Sequence, residues 1–134
     1  MHPKGVTDME YKELLDIAKT ARKNAYAPYS KFYVGTALLT KSGKVYTGCN
    51  VENLSFGATI CAERCAIAKA VSEGERDFSA IAVYAGEKFT SPCGICLQTI
   101  YEFTKDIDIV LADRNAIKVY KLQDLMPISA IPIE

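Results

Sequence analysis

The chain has 134 residues, of which 49% are hydrophobic and 24% charged, and its 16 basic residues balance its 16 acidic ones. This composition is typical of a globular protein and excludes a disordered or fibrous chain. A net charge of zero is unfavourable for binding a polynucleotide, because that binding depends on clustered basic residues that neutralise phosphates. We therefore expect one globular domain over residues 1–134, with no nucleic acid polymer as partner.

The predicted elements alternate between helices and strands along the chain. Apolar residues recur at helical spacing over residues 8–25, and the proline at position 28 ends that helix. There follow strands at 32–40 and 45–49 joined by a hairpin turn, a loop at 50–60, a helix at 61–72, a strand at 78–84, a helix at 93–103, strands at 107–112 and 116–120, and a helical turn near 121–125. This order predicts an α/β fold with one mixed sheet of about five strands covered by helices.

The sequence also indicates where the chain is found in the cell. No stretch approaches the roughly 18 apolar residues that a membrane span needs, and the N-terminal sequence MHPKGVTDMEYKE is too polar for a signal peptide. We expect a cytoplasmic protein with no membrane partner. Because disulfides are rare in that reducing compartment, the five cysteines need another explanation.

Three cysteines stand at the predicted starts of two helices: Cys61, which Glu63 follows, and the pair Cys93 and Cys96. Unpaired amides and the helix dipole lower the pKa of a thiol at a helix N-terminus, and thiolate is the form that binds metal. Three thiolates could converge on one zinc ion and leave its fourth position for water. The single histidine, His2, lies near the chain terminus, so a site that needs imidazole is almost excluded.

Each half of this pattern also has a simpler interpretation. A Cys-x-x-Cys pair alone is equally typical of a redox dithiol or of half a structural zinc site. A glutamate in the first turn of a helix most often only complements the helix dipole. From residue types and spacing alone, these alternatives stay open.

Four motifs occur in a fixed order along the chain. They are Ala-Tyr-Ala-Pro-Tyr-Ser-Lys-Phe at 25–32, Gly-Cys-Asn-Val-Glu-Asn at 48–53, Cys-Ala-Glu-Arg at 61–64 and Ser-Pro-Cys-Gly-Ile-Cys at 91–96. In order and separation they resemble the small cytidine deaminases, and the likeness extends from about Leu14 to Pro127. The resemblance implies a three-layer α/β/α fold and, for members with three cysteine ligands, a homotetramer.

The resemblance implies a metal centre and a proton shuttle. Cys61, Cys93 and Cys96 correspond to the ligands of one zinc ion per chain, which activates a water molecule for attack on C4 of the pyrimidine. Glu63 corresponds to the residue that takes the water's proton, delivers it to N3, and then protonates the departing amine. Arg64 corresponds to an arginine that hydrogen bonds to the cysteine sulfurs.

The resemblance also implies contacts to the substrate. The backbone amide of Ala62 would bind the pyrimidine O2, the carbonyl of Ser91 would accept from the 4-amino group, and Phe32 would pack against the base. Asn50 and Glu52 stand at the sugar-binding position, and their spacing of two in an extended segment directs both side chains to one side. For Phe32, the alternative is an ordinary core position at the start of a strand.

The implied activity is hydrolysis of cytidine and 2′-deoxycytidine to uridine and 2′-deoxyuridine with release of ammonia, in pyrimidine salvage. One alternative keeps this chemistry and changes the substrate to a cytosine-nucleoside antibiotic such as blasticidin S, or to a modified base. A second alternative, from a different class, is a non-catalytic structural zinc protein.

Two positions depart from the family pattern. Leu97 stands where an arginine usually follows the last cysteine, which leaves Arg64 as the expected arginine beside the thiolates. Ala130 stands where a C-terminal phenylalanine commonly reaches a neighbouring subunit's site. Both departures concern the surroundings of the metal and the base rather than the ligands themselves.

Overall fold

Helices and strands alternate along the chain in the computed structural model, which describes residues 8–86, 88–113 and 115–126. The elements are α1 (Asp8–Ala21), β1 (Gly35–Thr40), β2 (Val45–Cys49), α2 (Ala62–Ser72), β3 (Phe78–Tyr84), α3 (Gly94–Phe103), β4 (Asp108–Ala112), β5 (Ile117–Lys121) and α4 (Leu122–Leu125). Single 3₁₀ turns at Arg22–Asn24 and Phe56–Ala58 lie in the connections after α1 and before α2.

The five strands form one mixed sheet in the order β2-β1-β3-β4-β5. Strands β3 and β4 are parallel, and the other neighbouring pairs are antiparallel. Helix α3 is the crossover between the two parallel strands, as such a connection requires. The predicted α/β fold with a mixed five-stranded sheet is confirmed.

Helices cover both faces of the sheet and create two separate hydrophobic cores. Helix α1 buries an apolar stripe that recurs at helical spacing, and it packs on the small side chains of the central strands. The members of this core include Tyr11, Leu14, Leu15, Ala18, Ala37, Ala80, Ala82 and Val110. The opposite face carries the larger core, in which α2 and α3 contribute Ala66, Ile67, Ala70, Leu97 and Ile100. The result is the expected arrangement of three layers.

The first helix and the first strand are shorter than the spacing predicts. Helix α1 ends at Ala21, because the next three residues tighten into a 3₁₀ turn and the Arg22 side chain donates from Nε to the carbonyl of Tyr33 at 2.8 Å. Strand β1 begins at Gly35 rather than at residue 32. The segment before it is hydrogen bonded to residues 50 and 52, and not to a neighbouring strand.

Strand register brings the starts of α2 and α3 to one edge of the sheet. Cys49 at the end of β2 and Tyr84 at the end of β3 both lie opposite Gly35 on β1. Because both strands run antiparallel to β1, their carboxyl ends point the same way. The segments that lead into α2 and α3 therefore leave the sheet at the same edge, which is where α/β proteins commonly bind ligands.

Within residues 8–86, 88–113 and 115–126, no helix combines the length and the apolar character that a membrane span needs.

Candidate active site

The thiols of Cys61, Cys93 and Cys96 converge at the sheet edge. Cys61 and Cys93 are the residues that cap the N-termini of α2 and α3, and Cys96 lies in the first turn of α3. The Sγ atoms of Cys61 and Cys93 are 3.8 Å apart, those of Cys93 and Cys96 are 3.5 Å apart, and all three lie within 4.8 Å of one another. The sequence-based prediction that these three thiols come together is correct.

This geometry fits a zinc ion. In a tetrahedral site with Zn–S bonds of about 2.3 Å, neighbouring sulfurs are about 3.8 Å apart. The donor set is entirely soft thiolate, which favours zinc over the oxygen-loving divalent cations. Exposure decreases from Cys93, which is exposed, through Cys61 to Cys96, which is buried. The residues therefore suit one zinc ion per chain with one side open to solvent.

The thiols perturb one another strongly. Hydrogen bonding to Cys96, together with the Arg64 guanidinium, lowers the pKa of the Cys61 thiol to about 5. The same hydrogen bond and burial raise the pKa of Cys96. One Nη atom of Arg64 lies 3.6 Å from the Cys61 sulfur and 3.3 Å from the carbonyl oxygen of Thr59. Arg64 thus stabilises the thiolate form of the residue that begins α2, as expected for an arginine beside a metal ligand.

Glu63 places a buried carboxyl group beside the thiols. It lies in the first turn of α2 and is only 5% exposed. Burial raises the pKa of Glu63 to about 7, and the negative charge of Cys61 acts in the same direction. A glutamate that served only the helix dipole would lie in solvent, so its burial favours a chemical role.

The connection before α2 is held in place by two backbone bridges. Val51 pairs with Ile60 through two hydrogen bonds of 2.9 Å, and Tyr26 bonds to the residues on either side of Val51. These bridges join the Asn50–Glu52 triplet to the residue that directly precedes Cys61. Sequence reasoning treated residues 50–60 as an unstructured loop, because a single bridged residue gives no periodic signal.

Asn50 and Glu52 are both hydrogen bonded to the segment before β1. Asn50 is 8% exposed; its Oδ1 accepts from the amide of Val34 at 2.9 Å and its Nδ2 donates to the carbonyl of Phe32 at 2.7 Å. Glu52 accepts from the amides of Tyr29 and Ser30 at 3.0 and 3.1 Å. Each side chain therefore has a structural role as well as its expected role in binding sugar.

The remaining predicted residues surround these groups. Ala62 is fully buried at the start of α2, Ser91 is exposed in the segment before α3, and Phe32 is 46% exposed. The exposure of Phe32 argues against the alternative of an ordinary core position. A cavity of about 430 Å³ lies beside Glu52, with Tyr29, Ser30, Asn53, Phe56 and Thr59 as its other lining residues.

Comparison with known proteins identifies the family of this chain. The family model described as the cytidine and deoxycytidylate deaminase zinc-binding region matches residues 9–112. The chain belongs to this family.

Relatives within the family cover most of the chain. It is 53% identical to the cytidine deaminase of Sporosarcina psychrophila over 96 residues, which are 71% of each chain. It is 45% identical to the cytidine deaminase of Halalkalibacterium halodurans over 122 residues, or 89% of this chain and 92% of that one. The crystal structure of the cytidine deaminase from Burkholderia pseudomallei has a TM-score of 0.84 at 43% identity, covering 91% of this chain and 98% of that chain.

The two departures from the deaminase pattern have different outcomes. Leu97 is 7% exposed and belongs to the larger hydrophobic core, so it packs among apolar side chains. Arg64 is the arginine found beside the thiolate of Cys61. Ala130 lies outside the described residues.

Proposed function

We propose that the chain is a zinc-dependent enzyme that hydrolyses cytidine and 2′-deoxycytidine to uridine and 2′-deoxyuridine and releases ammonia. The observation that carries this proposal is the convergence of three thiols from two helix N-termini beside one buried carboxyl group, Glu63. Membership of the deaminase family and the names of relatives at 45 and 53% identity support it.

Cys61, Cys93 and Cys96 would hold the zinc, which supplies the Lewis acidity that activates water for attack on the pyrimidine. Glu63 moves the protons: it accepts one from the attacking water and delivers it to N3, then takes a second from the new hydroxyl group at C4 and gives it to the departing amine. Its burial beside the thiols raises its pKa toward neutrality, which suits a group that both accepts and donates protons. This is the mechanism established for zinc-dependent deaminases, applied to these residues.

The pyrimidine would be bound mainly by backbone groups. Ala62 is the first residue of α2, where an amide has no partner within the helix, and so it can donate to the pyrimidine O2. The carbonyl of Ser91, just before Cys93, can accept from the 4-amino group. Phe32, with about half of its surface exposed, can pack its ring against the base.

The sugar would be bound by the polar pair of the Asn50–Glu52 triplet. Asn50 keeps one N–H donor after its bond to Phe32, and Glu52 keeps acceptor capacity after its bonds to the backbone. A donor and an acceptor two residues apart suit two hydroxyl groups of a ribose.

A free nucleoside fits the site better than a nucleotide or polymer. The cavity beside Glu52 has this carboxylate among its lining residues and no lysine or arginine. A phosphate group there would meet the negative charge of Glu52, and Lys31, whose charge acts on this carboxylate, is not among the lining residues, whereas phosphate recognition usually uses arginine or lysine in direct contact. The balanced overall charge agrees with this choice of substrate.

We also propose a homotetramer that works in the cytoplasm, in pyrimidine salvage. The connection before α2 exposes large apolar side chains, with Leu54 at 77%, Phe56 at 81% and Ile60 at 43%. An exposed patch of this kind is typical of an interface between subunits. Thiolate ligands also favour a reducing compartment.

Replacement of Glu63 by glutamine tests the catalytic proposal. The variant is expected to retain zinc but to lose about 10³-fold in kcat for cytidine, because glutamine cannot move protons. Glu75→Gln, at a half-buried position after α2, is the matched control and should match the wild type. A wild-type protein that binds zinc without turnover would favour the structural alternative, and faster turnover of blasticidin S than of cytidine would favour the antibiotic deaminase.

A further inference from the structure

The turn before Phe32 holds the Glu52 carboxylate from three directions. The amides of Tyr29 and Ser30 donate to Oε1 at 3.0 and 3.1 Å, and the hydroxyl of Ser30 donates to Oε2. The Ser30 hydroxyl is the largest cause of the lowered pKa of Glu52. The carboxylate is therefore fixed in place by a neighbouring segment rather than left free to rotate in solvent.

Most of the hydrogen-bond acceptor sites of the Glu52 carboxylate are already occupied by the protein. A carboxylate offers about four lone-pair sites, two on each oxygen. The two amides occupy those of Oε1, and Ser30 occupies one of those of Oε2. One site on Oε2 remains, and the Ser30 hydroxyl determines its direction.

Ser30 also fixes the backbone that leads to Phe32. Its Oγ accepts from the amide of Phe32 at 3.0 Å, so a single hydroxyl joins the carboxylate of Glu52 to the residue expected to pack on the base. Lys31, between Ser30 and Phe32 in the sequence, has a φ of 61°. This left-handed conformation is unfavourable for a residue with a side chain. Strained backbone of this kind persists where surrounding contacts fix it, and it is concentrated at functional sites.

We propose that Ser30 is a positioning residue for the sugar of the substrate, holding the free acceptor site of Glu52 in a fixed direction. This inference rests on the proposed function, in which Glu52 accepts a hydrogen bond from a ribose hydroxyl. Ser30 acts through Glu52 and does not take part in the proton transfers.

Steady-state kinetics of Ser30→Ala with two substrates test the inference. For cytidine, KM is expected to rise about tenfold, because the variant loses the effect of one charge-assisted hydrogen bond on sugar binding. The value of kcat is expected to stay within about twofold of the wild type. For 2′,3′-dideoxycytidine, which lacks both hydroxyls, KM should change by less than about twofold. Ser30→Thr keeps the hydroxyl and should restore the wild-type KM for cytidine.

Two controls separate positioning from a general structural effect. Ser42, in the exposed turn between β1 and β2, makes the same kind of hydrogen bond, to the Glu75 carboxylate at 3.0 Å. Ser42→Ala should therefore leave both KM values unchanged. Adding Ser30→Ala to a Glu52→Gln variant should raise KM no further, because Ser30 acts through that carboxylate.

The following results would contradict the proposed role of Ser30. An unchanged KM for cytidine, or an equal rise for both substrates, would overturn the role of Ser30 while the proposed function stands. Wild-type protein without cytidine turnover would overturn both. A fall in kcat alone would show that Ser30 serves catalysis rather than sugar positioning, and would also contradict the inference.

Discussion

Arg64 is the residue that most directly connects the fold to the electrostatics of the thiol cluster. It hydrogen bonds to the Cys61 sulfur and to the Thr59 carbonyl, and so it ties the loop before α2 to the first ligand. Leu97, at the position where the family usually has an arginine, is buried in the core. At the residue scale, Arg64 therefore adds a cation to the hydrogen bond from Cys96 that stabilises the Cys61 thiolate.

Replacing Arg64 by glutamine should weaken zinc binding. Loss of the guanidinium raises the pKa of the Cys61 thiol, and loss of such a supporting hydrogen bond typically costs about tenfold in metal affinity. Competition with a chromophoric chelator at neutral pH measures the change. Arg76→Gln is the control, since Arg76 lies on the surface and hydrogen bonds to the backbone carbonyls of Val71 and Glu75. Equal affinities of the Arg64 variant and the wild type would contradict this account.

At the scale of elements, the approach of α2 to β2 decides where Cys61 and Glu63 lie. A Cβ atom at Gly48 would be 2.4 Å from the carbonyl oxygen of Ala62, the first residue of α2. The absence of a side chain at this position lets the start of the helix rest directly on the strand.

Gly48→Ala should therefore displace the start of α2. The neighbouring atoms are backbone and cannot move aside, so we expect a loss of about 2 kcal/mol of stability, as for overpacking, and weaker zinc binding. Gly57→Ala is the matched control, because a Cβ there meets no atom within 4 Å. Thermal denaturation and zinc titration of both variants provide the measurement. A Gly48→Ala protein with wild-type stability and zinc affinity would refute the packing argument.

The elements that could be predicted from the sequence are those with periodic patterns. Helical spacing in α1 and the largely apolar runs of β3 and β4 gave the right element types, and the order of the motifs gave the three thiols. The bridges at Val51 and the clamp of Ser30 on Glu52 could not be predicted. The contacts of Val51 with Tyr26 and of Ser30 with Glu52 join segments more than 20 residues apart, and the bridge between Val51 and Ile60 involves single residues; neither kind leaves a local periodic pattern.

At the scale of the whole molecule, Asp108 joins the far end of the sheet to α1. It is 1% exposed in β4, accepts a hydrogen bond from the hydroxyl of Tyr11, and forms an ion pair of 2.6 Å with Lys121 on β5. This network connects three elements around a buried charge, where a missing partner is costly. The sequence marked this segment only as a strand.

Asp108→Ala should lower the free energy of unfolding by about 2 kcal/mol, since it removes a buried carboxylate that accepts from Tyr11 and pairs with Lys121. Cytidine turnover by the remaining folded protein should be unchanged, because the network lies away from the thiol cluster. Urea denaturation measures the stability, and Asp106→Ala, at an exposed position that also contacts Lys121, is the control. A loss of turnover without loss of stability would contradict a purely structural role.

The central claim is that this chain uses one zinc ion, held by three thiolates, to deaminate a free pyrimidine nucleoside. The most direct measurement follows the ultraviolet absorbance of cytidine with the purified protein before zinc removal, after removal by a strong chelator, and after zinc is restored. We predict about one zinc per chain, and turnover that is lost with the metal and recovered with it. Turnover that is independent of zinc, or a zinc-loaded protein that leaves cytidine unchanged, would contradict the claim.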